Sequence, residues 1–289
     1  MERVIALGFF DGVHIGHGAL LKKTREIAAK LNIVPSVITF DVPPMKNVEL
    51  LTTPADRKEL ISQLYGVDDV ILLHFDKELR NTEWYDFVTV LRDYYGARHL
   101  VAGYDFRFGR GGMGNAGRLI QKCAELSVGC DIIGKIELCG EAVTSTGIRE
   151  MIRAGNLEKA ALFLGHPFSL SGSVCHGRGL GHALGVPTVN VSPSSGMILP
   201  PHGVYVTRTH LSGGGSFESV TNVGVRPTVS KSGRISVETN LFSFSGDLYD
   251  DHVRIDFLKF LREERSFADL DSLKAQIELD EKAAKAYFE

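Results

Sequence analysis

The chain has 289 residues, of which 44% are hydrophobic and 23% are charged, and its net charge is −3. This composition is typical of one or two globular domains that bury a core without covalent staples. It carries no excess of positive charge, so it predicts no nucleic-acid partner. No apolar run approaches the ~20 residues that span a bilayer, so we also predict no membrane partner.

The cysteines predict neither a disulfide framework nor a zinc site. They stand apart in the sequence, without a C-x-x-C pair, at Cys123, Cys130, Cys139 and Cys175. Scattered thiols of this kind are typical of a reducing compartment. We therefore expect a cytoplasmic protein, and the sequence leaves a homo-oligomer open.

The first half of the chain alternates strand-like and helix-like segments. Apolar runs predict strands at Val4–Leu7, Val34–Phe40, Val70–Phe75, His99–Ala102 and Asp131–Ile136. Helical spacing predicts helices at Ala19–Leu31, Ala55–Leu64, Trp84–Tyr95 and Ala116–Leu126. The strands are apolar almost throughout, as expected for strands covered on both faces, so this half is predicted to be an α/β domain with a parallel, doubly wound sheet. Ligands bind such sheets beyond the carboxyl ends of the strands.

The segment GFFDGVHIGH, residues 8–17, follows the first predicted strand. His14 and His17 are three residues apart and would share a face at the start of the next helix, where backbone N–H groups and the helix dipole attract phosphate. Gly16 would let a bulky ligand approach the backbone. Imidazoles directed at the α-phosphate of a triphosphate would stabilise the charge that grows during attack on phosphorus. Taken alone, the pattern also fits a capped helix or half of a metal site.

A second segment of the same kind, TSTGIRE, occupies Thr144–Glu150. It lies between a strand-like run and a helix. Ser145 and Thr146 offer hydroxyls and an N-cap, and Arg149 offers a planar cation for phosphate oxygens. A well-capped structural helix is the simpler interpretation of this segment, but two phosphate-type helix starts in one parallel sheet favour a triphosphate site.

A change in pattern marks a domain boundary. A short helix is predicted over Asn156–Leu164, with its first residue as N-cap and Gly165 at its end. We place the boundary there, which predicts domains over residues 1–165 and 166–289.

The second half is rich in short β-type runs separated by Gly, Ser and Pro. They occur at Ser169–His176, Val204–His210, Phe217–Val223, Arg234–Phe244 and His252–Phe257. This pattern indicates a small antiparallel barrel or sandwich. One amphipathic helix closes the chain, capped by Asp269 or Asp271, and its apolar stripe comprises Leu270, Leu273, Ile277, Ala284 and Tyr287.

A glycine-rich segment opens the second half, at Gly172–Val191. Its glycines, Gly181 and Gly185 among them, could fold over phosphates and present backbone N–H groups. Thr188 and Asn190 alternate along the next strand and would share one face. A hydroxyl and an amide oxygen there suit Mg²⁺, which keeps water and substrate phosphates as its other ligands. A hairpin with polar strand residues is the structural alternative.

Glu238 lies in a later predicted strand, within Val237–Tyr249. An isolated glutamate on a barrel strand is usually a solvated surface residue. Opposite a bound Mg-ATP, however, it could accept a proton from an attacking hydroxyl.

The motifs of the first half resemble those of a known family. GFFDGVHIGH and TSTGIR are similar to the H-x-G-H and S-T-x-I-R signatures of the nucleotidyltransferase superfamily. With VITFD (Val37–Asp41) and GYDFRFG (Gly103–Gly109) in the same order, they resemble the N-terminal half of bacterial bifunctional riboflavin kinase/FAD synthetases. That half is an FMN adenylyltransferase with a Rossmann-like fold.

The second half resembles the riboflavin kinase module of the same family, a six-stranded antiparallel barrel with a terminal helix. The matching motifs are G-x-x-x-G-x-P-T-x-N (Gly181–Asn190), HGVYV (His202–Val206), NVGVRPT (Asn222–Thr228), V-E-T (Val237–Thr239), SGDLY (Ser245–Tyr249) and LREERSF (Leu261–Phe267). The resemblance implies that riboflavin is phosphorylated by ATP to FMN, and that FMN is adenylylated by ATP to FAD and pyrophosphate. Riboflavin, FMN and ATP would be the partners, and Mg²⁺ the cofactor.

The resemblance also implies roles for individual residues. His14, His17 and Arg149 would act in adenylyl transfer, and Glu238 would activate the ribityl hydroxyl. Nucleotide or phosphate binding is implied for Gly8, Phe9, Asp11, Gly16, Ser145, Thr146, Gly181, His182 and Gly185. Flavin binding is implied for Asp105, Phe106 and Arg262, and metal binding for Thr188 and Asn190.

The chain departs from the family pattern at a few positions. The D-P-H-P that usually follows T-F is Asp41-Val42-Pro43-Pro44 here, and His182 stands where an arginine is common. Asn240 replaces a frequent histidine after V-E-T. These departures leave open a chain that retains one activity, and a flavin- or nucleotide-binding protein without turnover. The letters HIGH also mark class I aminoacyl-tRNA synthetases, but no K-M-S-K-S-like segment accompanies them.

Overall fold

The computed structural model describes residues 1–43, 48–175, 188–225, 235–246, 248–249 and 251–289. These residues form two compact units, Met1–Gly147 and Ile148–Glu289. Every helix within those ranges is too short or too polar to cross a membrane.

The first unit contains a parallel sheet and the helices that cover it. The strands of this sheet are β1 (Arg3–Leu7), β2 (Val34–Phe40), β3 (Asp69–Leu73), β4 (Ala97–Gly103) and β5 (Gly129–Ile133). The helices are α1 (Ile15–Leu31), α2 (Pro54–Tyr65), α3 (Lys77–Asn81), α4 (Trp84–Asp93) and α5 (Ala116–Glu125). A small hairpin, β6 (Glu137–Leu138) and β7 (Glu141–Ala142), leads to helix α6 (Ser145–Arg153), which runs into the second unit.

The strand order of the main sheet is β3-β2-β1-β4-β5, and all its neighbouring pairs are parallel. Strand β1 lies at the centre of the sheet. Strands β2 and β3 lie on one side of it in strand order, and β4 and β5 lie on the other. The carboxyl ends of β1 and β4 therefore lie at the topological switch point, where doubly wound sheets bind ligands. The predicted doubly wound fold is confirmed.

Each strand contributes to a core on both faces of the sheet. Val4 and Ala6 of β1 pack in one apolar cluster with residues of α1 and α2. Ile5 and Leu7 pack in a second cluster with residues of α4 and α5. Alternation along the strand sends successive side chains to opposite faces, which explains why the strands are apolar throughout.

The second unit is a closed barrel with helices around it. After α7 (Leu157–Leu164), its strands are β8 (Phe168–Cys175), β9 (Val189–Pro193), β10 (Gly203–Leu211), β11 (Ser216–Val225), β12 (Ile235–Leu241) and β13 (His252–Arg262). They close in the order β10-β11-β12-β9-β8-β13, with every pair antiparallel. Of the two predicted alternatives, barrel and sandwich, the structure has the barrel.

Part of the barrel interior is polar. Thr207 bonds to Ser219 at 2.8 Å and to Thr221 at 2.7 Å, and Thr221 donates to Thr239 at 2.8 Å. All four side chains are fully buried. Each hydroxyl can donate once and accept twice, so the chain of hydroxyls satisfies itself without charge.

The C-terminal helix α8 (Leu270–Phe288) packs on the outside of the barrel. Asp269 caps it by accepting a hydrogen bond from the Ser272 N–H, which decides between the two predicted caps. Ala284 is buried against the barrel strands, but Leu270 is 60% exposed and Tyr287 is 46% exposed. The predicted apolar stripe was therefore wrong at its two ends, and at the C-terminal end Phe288 rather than Tyr287 packs against the barrel.

Other local predictions also needed correction. Helix α1 begins at Ile15, four residues before the predicted Ala19, because His14 caps it. Helix α3 was not predicted. Asn156 precedes α7, but its side chain makes no capping hydrogen bond, whereas Gly165 ends that helix in the left-handed conformation as expected.

Candidate active sites

The two histidines of the first site lie in parallel at the start of α1. The His14 side chain caps the helix by accepting a 3.2 Å hydrogen bond at Nδ1 from the backbone N–H of His17. The two rings are stacked, with centroids 3.5 Å apart and planes 12° from parallel. Because Nδ1 of His14 is an acceptor, the proton of the neutral ring lies on Nε2.

The Nδ1 atom of His17 is buried and has no hydrogen-bond partner among the described residues. The pKa of His17 is lowered well below its usual value by burial first, then by the nearby His14 and by the charge of Arg57. The ring is therefore neutral at neutral pH. A buried ring nitrogen without a partner is costly, so stability alone does not explain the position of His17.

The turn between β1 and α1 has an unusual backbone. Phe10 and Val13 have φ angles of 55° and 42°, and Gly12 has a φ of 80°. A positive φ is readily adopted by glycine, but it is a strained conformation for a β-branched residue such as Val13. Phe10 and Val13 are both fully buried, and their packing supports this conformation.

The side chain of Asp11 connects this turn to the segment before α2. Its carboxylate accepts hydrogen bonds at 3.0–3.1 Å from the backbone N–H groups of Leu51 and Thr52. Arg57 lies 4.0 Å from the same carboxylate, and both side chains are almost completely buried. Asp11 was predicted to line the nucleotide pocket, but its carboxylate is only 1% exposed and is directed at the protein itself.

The glycines of the turn leave space for specific side chains. A Cβ atom at Gly16 would lie 3.1 Å from the His14 ring, and one at Gly8 would lie 3.1 Å from the Phe10 ring. Gly16 was predicted to admit a ligand. In the structure its lack of a side chain first of all makes room for His14.

Helix α6 approaches this turn through a hydroxyl. Ser145 donates a 3.0 Å hydrogen bond to the backbone carbonyl of Asp11. The helix is capped by Thr144, whose hydroxyl accepts a hydrogen bond from the Gly147 N–H, so the predicted cap at Ser145 or Thr146 was wrong by one or two residues. Thr146 is exposed, and Arg149 is 7% exposed one turn after Ser145.

The loop after β4 contains the predicted flavin contacts. Asp105 is exposed, and Phe106 stacks on Phe108 with ring centroids 5.5 Å apart. Gly109 closes the loop with a φ of 70°, and a Cβ atom there would lie 2.6 Å from the backbone of Trp84. The loop follows the carboxyl end of β4, on the side of the sheet edge where the histidine turn follows β1.

The second site lies between the barrel and α8. A pocket of about 350 Å³ is lined by Thr188, Glu238 and Asn222, together with residues of α8. Glu238 stands directly opposite Asn190 on β9 and opposite Asn222 on β11. Residues opposite each other on neighbouring strands point to the same face. The barrel therefore brings the predicted Thr188, Asn190 and Glu238 to one region.

Arg262 lines the same pocket and is held by α8. Its guanidinium donates to both carboxylate oxygens of Asp280 at 2.7–3.1 Å, and Asp280 is 7% exposed. Asn240, the departure noted after V-E-T, donates to Glu281 of α8 at 2.7 Å. Both contacts connect the pocket wall to the helix that covers it.

Some predicted site residues lie outside the described ranges, namely Gly181, His182 and Gly185. Across the ranges that are described, no group of three His, Cys, Asp or Glu side chains is arranged to hold a metal ion.

Three further residues of the two sites, Arg57, Asp280 and Asn222, were not predicted from the sequence. Asn222 lies in the NVGVRPT motif and could have been chosen from it. Arg57 and Asp280 occur in helices with ordinary surface patterns, and nothing in the sequence distinguishes them from solvated charges. Only the packing shows that they are buried.

Two family models match the chain. A riboflavin kinase model matches residues 164–288, and an FAD synthetase model matches residues 1–147. The first model covers the barrel and the second covers the parallel sheet with the histidine turn.

Full-length relatives agree with both models. The bifunctional riboflavin kinase/FMN adenylyltransferase of Pseudomonas fluorescens is 37% identical, over 98% of this chain and 92% of the relative. The enzyme of the same description from Escherichia coli K12 is 36% identical, over 99% of this chain and 92% of the relative. A crystal structure described as a macrolide-efflux protein from Streptococcus pneumoniae has a TM-score of 0.85 and 27% identity, and the match covers 98% of this chain and 94% of that one.

The relatives match both halves in order and cover almost the whole chain. These two relatives are described as bifunctional riboflavin kinase/FMN adenylyltransferases and not as aminoacyl-tRNA synthetases, the alternative that the letters HIGH suggested. On these matches, the chain belongs to the family of bifunctional riboflavin kinase/FMN adenylyltransferases, which use ATP to make FMN and then FAD.

Proposed function

We propose that the histidine turn of the first unit carries out adenylyl transfer. A phosphate oxygen of FMN attacks the α-phosphorus of ATP, a new P–O bond forms, and pyrophosphate leaves. Two features support the location: the stacked rings of His14 and His17 at the start of α1, and the buried, unpartnered Nδ1 of His17. The first of these is the observation that carries the proposal.

The histidines act as neutral hydrogen-bond donors in this proposal. The Nε2–H of His14 and the ring of His17 stabilise charge on the oxygens of the α-phosphate as it grows in the transition state. The first backbone N–H groups of α1 also stabilise this negative charge. No covalent intermediate is needed, because positioning and charge stabilisation suffice for transfer at phosphorus.

The other predicted residues of this site complete the proposal. Gly8 and Phe9 line the nucleotide pocket, and Asp11 contributes through the backbone that its buried carboxylate holds. Ser145, Thr146 and Arg149 bind the triphosphate, and the exposed Asp105 with Phe106 binds the flavin of FMN. These roles rest on the family resemblance and on the position of each residue.

In the barrel, we propose that Glu238 takes the proton of the ribityl 5′-hydroxyl as that oxygen attacks the γ-phosphorus of ATP. A P–O bond forms to the ribityl oxygen, and ADP leaves. The position of Glu238 on the wall of the pocket, opposite Asn190, supports this role. Arg262 binds the flavin, and Gly181, His182 and Gly185 bind phosphate.

The donors at Thr188 and Asn190 fit Mg²⁺, since both offer hard oxygen atoms beside a carboxylate. Mg²⁺ prefers such ligands and takes its remaining ones from water and from substrate phosphates. When bound, it would neutralise phosphate charge during phosphoryl transfer. Thr188 and Asn190 would hold it on the side of the pocket that faces Glu238.

Beyond the two sites, we propose residues 1–165 as the FMN adenylyltransferase domain and residues 166–289 as the riboflavin kinase domain. The first family match ends at residue 147 and the second begins at residue 164, close to the proposed boundary. We also propose that the protein acts in the cytoplasm on small molecules, without nucleic acid or membrane as a partner.

One experiment tests both sites at once. The protein is incubated with riboflavin, Mg²⁺ and ATP, and riboflavin, FMN and FAD are separated over time. His17→Ala should slow FAD formation by about 10²–10³-fold, the usual cost of a lost transition-state donor, and should spare FMN formation. Glu238→Gln should slow FMN formation and spare the conversion of added FMN. A folded variant that lost both steps would contradict the two-site proposal.

A further inference from the structure

One cation of the first unit is completely buried. Arg57 on α2 has 0% of its surface exposed, although its neighbour Lys58 is exposed. Its guanidinium donates to the carbonyl of Phe40 at 2.7 Å and to the hydroxyl of Thr39 at 3.2 Å. A buried charge needs a set of partners of this kind to be tolerated at all.

The same guanidinium lies close to both neighbours of Phe10, the first strained residue before α1. Its central carbon lies 4.3 Å from the centre of the Phe9 ring, and one of its nitrogens lies 4.0 Å from the Asp11 carboxylate. Phe10 lies between these two residues and has a φ of 55°. Arg57 is therefore placed to hold Phe9 and Asp11, the two neighbours of Phe10.

Thr39 connects Arg57 to the turn a second time. Its hydroxyl donates to the carbonyl of Phe9 at 2.7 Å while it accepts from Arg57. Thr39 is itself fully buried and is the next-to-last residue of β2. The turn is thus held by a ring, a carboxylate and a carbonyl, all linked to one guanidinium.

This arrangement is an expensive way to obtain stability alone. The Nε atom of Arg57 has no hydrogen-bond partner in the described parts of the chain. Buried ion pairs can often be replaced by apolar residues without loss of stability. Burial lowers the pKa of Arg57 to about 10, so the side chain keeps its charge at neutral pH.

We propose that Arg57 is a positioning residue for adenylyl transfer. It holds Phe9 and Asp11 so that the turn, the start of α1 and the two histidines have their reactive geometry before substrate binds. This inference rests on the proposed function of His14 and His17. Preorganisation of this kind is valuable because a displacement of about 1 Å at a reacting centre can cost about 10²-fold in rate.

The test uses Arg57→Met, which removes the charge at similar length, and Lys58→Met as the matched control on the same helix. Both are assayed for conversion of FMN to FAD and of riboflavin to FMN. We expect Arg57→Met to lower kcat for FAD formation by about 10–100-fold, with a smaller change in the KM for ATP. Lys58→Met should behave as the unaltered protein, and FMN formation by either variant should be unchanged.

A conservative variant separates charge from shape. Arg57→Lys keeps a cation over the Phe9 ring but loses the planar fork, so it should restore part of the kcat that Arg57→Met loses. If Arg57→Lys recovers nothing while Arg57→Met is folded, the charge has no part in positioning and the proposal fails.

Thr39→Val provides a second test in case loss of Arg57 unfolds the first unit. It removes the hydroxyl that links Arg57 to Phe9 and keeps the shape of the side chain. The proposal expects a kcat for FAD formation lowered by about tenfold, within the range for a disturbed geometry. A folded Thr39→Val protein with unchanged kcat and KM would overturn it.

His17→Ala in the same assay distinguishes two kinds of failure. If His17→Ala keeps normal FAD formation, the proposed function of the histidine turn fails. If His17→Ala loses FAD formation but Arg57→Met and Thr39→Val keep it, only the role of Arg57 is refuted.

Discussion

The hydroxyl of Ser145 donates a 3.0 Å hydrogen bond to the backbone carbonyl of Asp11, across 134 positions of sequence. It connects the first residue of α6 to the turn between β1 and α1. Two segments that the sequence presents as separate phosphate-type motifs are thus joined by a direct contact.

This contact predicts that Ser145→Ala slows FAD formation. Loss of one neutral hydrogen bond costs about 1 kcal/mol, so we expect a decrease of about fivefold in kcat/KM. Steady-state kinetics with FMN and ATP measure it. Ser62→Ala, which removes the hydrogen bond from Ser62 of α2 to Asp68, is the control, and an equal effect there would contradict the prediction.

The pKa of His17 predicts how stability depends on pH. It is lowered in the folded protein by burial and by His14 and Arg57, so the unfolded chain binds more protons below its ordinary pKa of about 6.5. The free energy of unfolding should therefore decrease as the pH falls from about 6.5. Denaturant titrations of the first unit's transition measure this decrease. His17→Gln should reduce its slope, and an unchanged slope would show that His17 is not its source.

The Arg262–Asp280 pair predicts a specific defect in the kinase reaction. Asp280→Asn would leave Arg262 without its carboxylate partner in the wall of the pocket. Breaking a buried ion pair from one side commonly costs about 3–5 kcal/mol, so we expect lower stability of the barrel and a raised KM for riboflavin. Thermal unfolding and FMN-formation kinetics measure both. Conversion of added FMN to FAD should be unaffected, and its loss would contradict separate sites.

Two glycines allow a matched test of the loop after β4, which contains the predicted flavin contacts. Gly109 and Gly140 both have a positive φ, but a Cβ atom would lie 2.6 Å from the Trp84 backbone at Gly109 and would contact nothing within 4 Å at Gly140. Both alanine variants should lose about 1 kcal/mol from backbone strain. Gly109→Ala should lose more and should raise the KM for FMN. Equal unfolding temperatures for the two variants would refute the predicted clash.

The sequence alone indicated the parallel sheet of the first unit and, through the family resemblance, the barrel of the second. Apolar strands alternating with helices indicated a covered parallel sheet, because side chains on both faces of a strand must be buried. Helical spacing predicted that His14 and His17 lie together at the start of a helix, but the cap that His14 provides was found only in the structure. Most element bounds were predicted within a few residues, and the exceptions, such as the start of α1, lie where a side chain rather than an apolar pattern decides the end.

Only the tertiary structure decided which charged side chains are buried and which of them contact the residues of the two sites. Arg57 and Asp280 look like surface charges in their helices, since local spacing cannot reveal what packs over a helix face. The cap of α6 at Thr144 and the direction of the Asp11 carboxylate depend on contacts between segments far apart in the chain. Such contacts are made by folding in three dimensions, and a pattern of neighbouring residues carries no record of them.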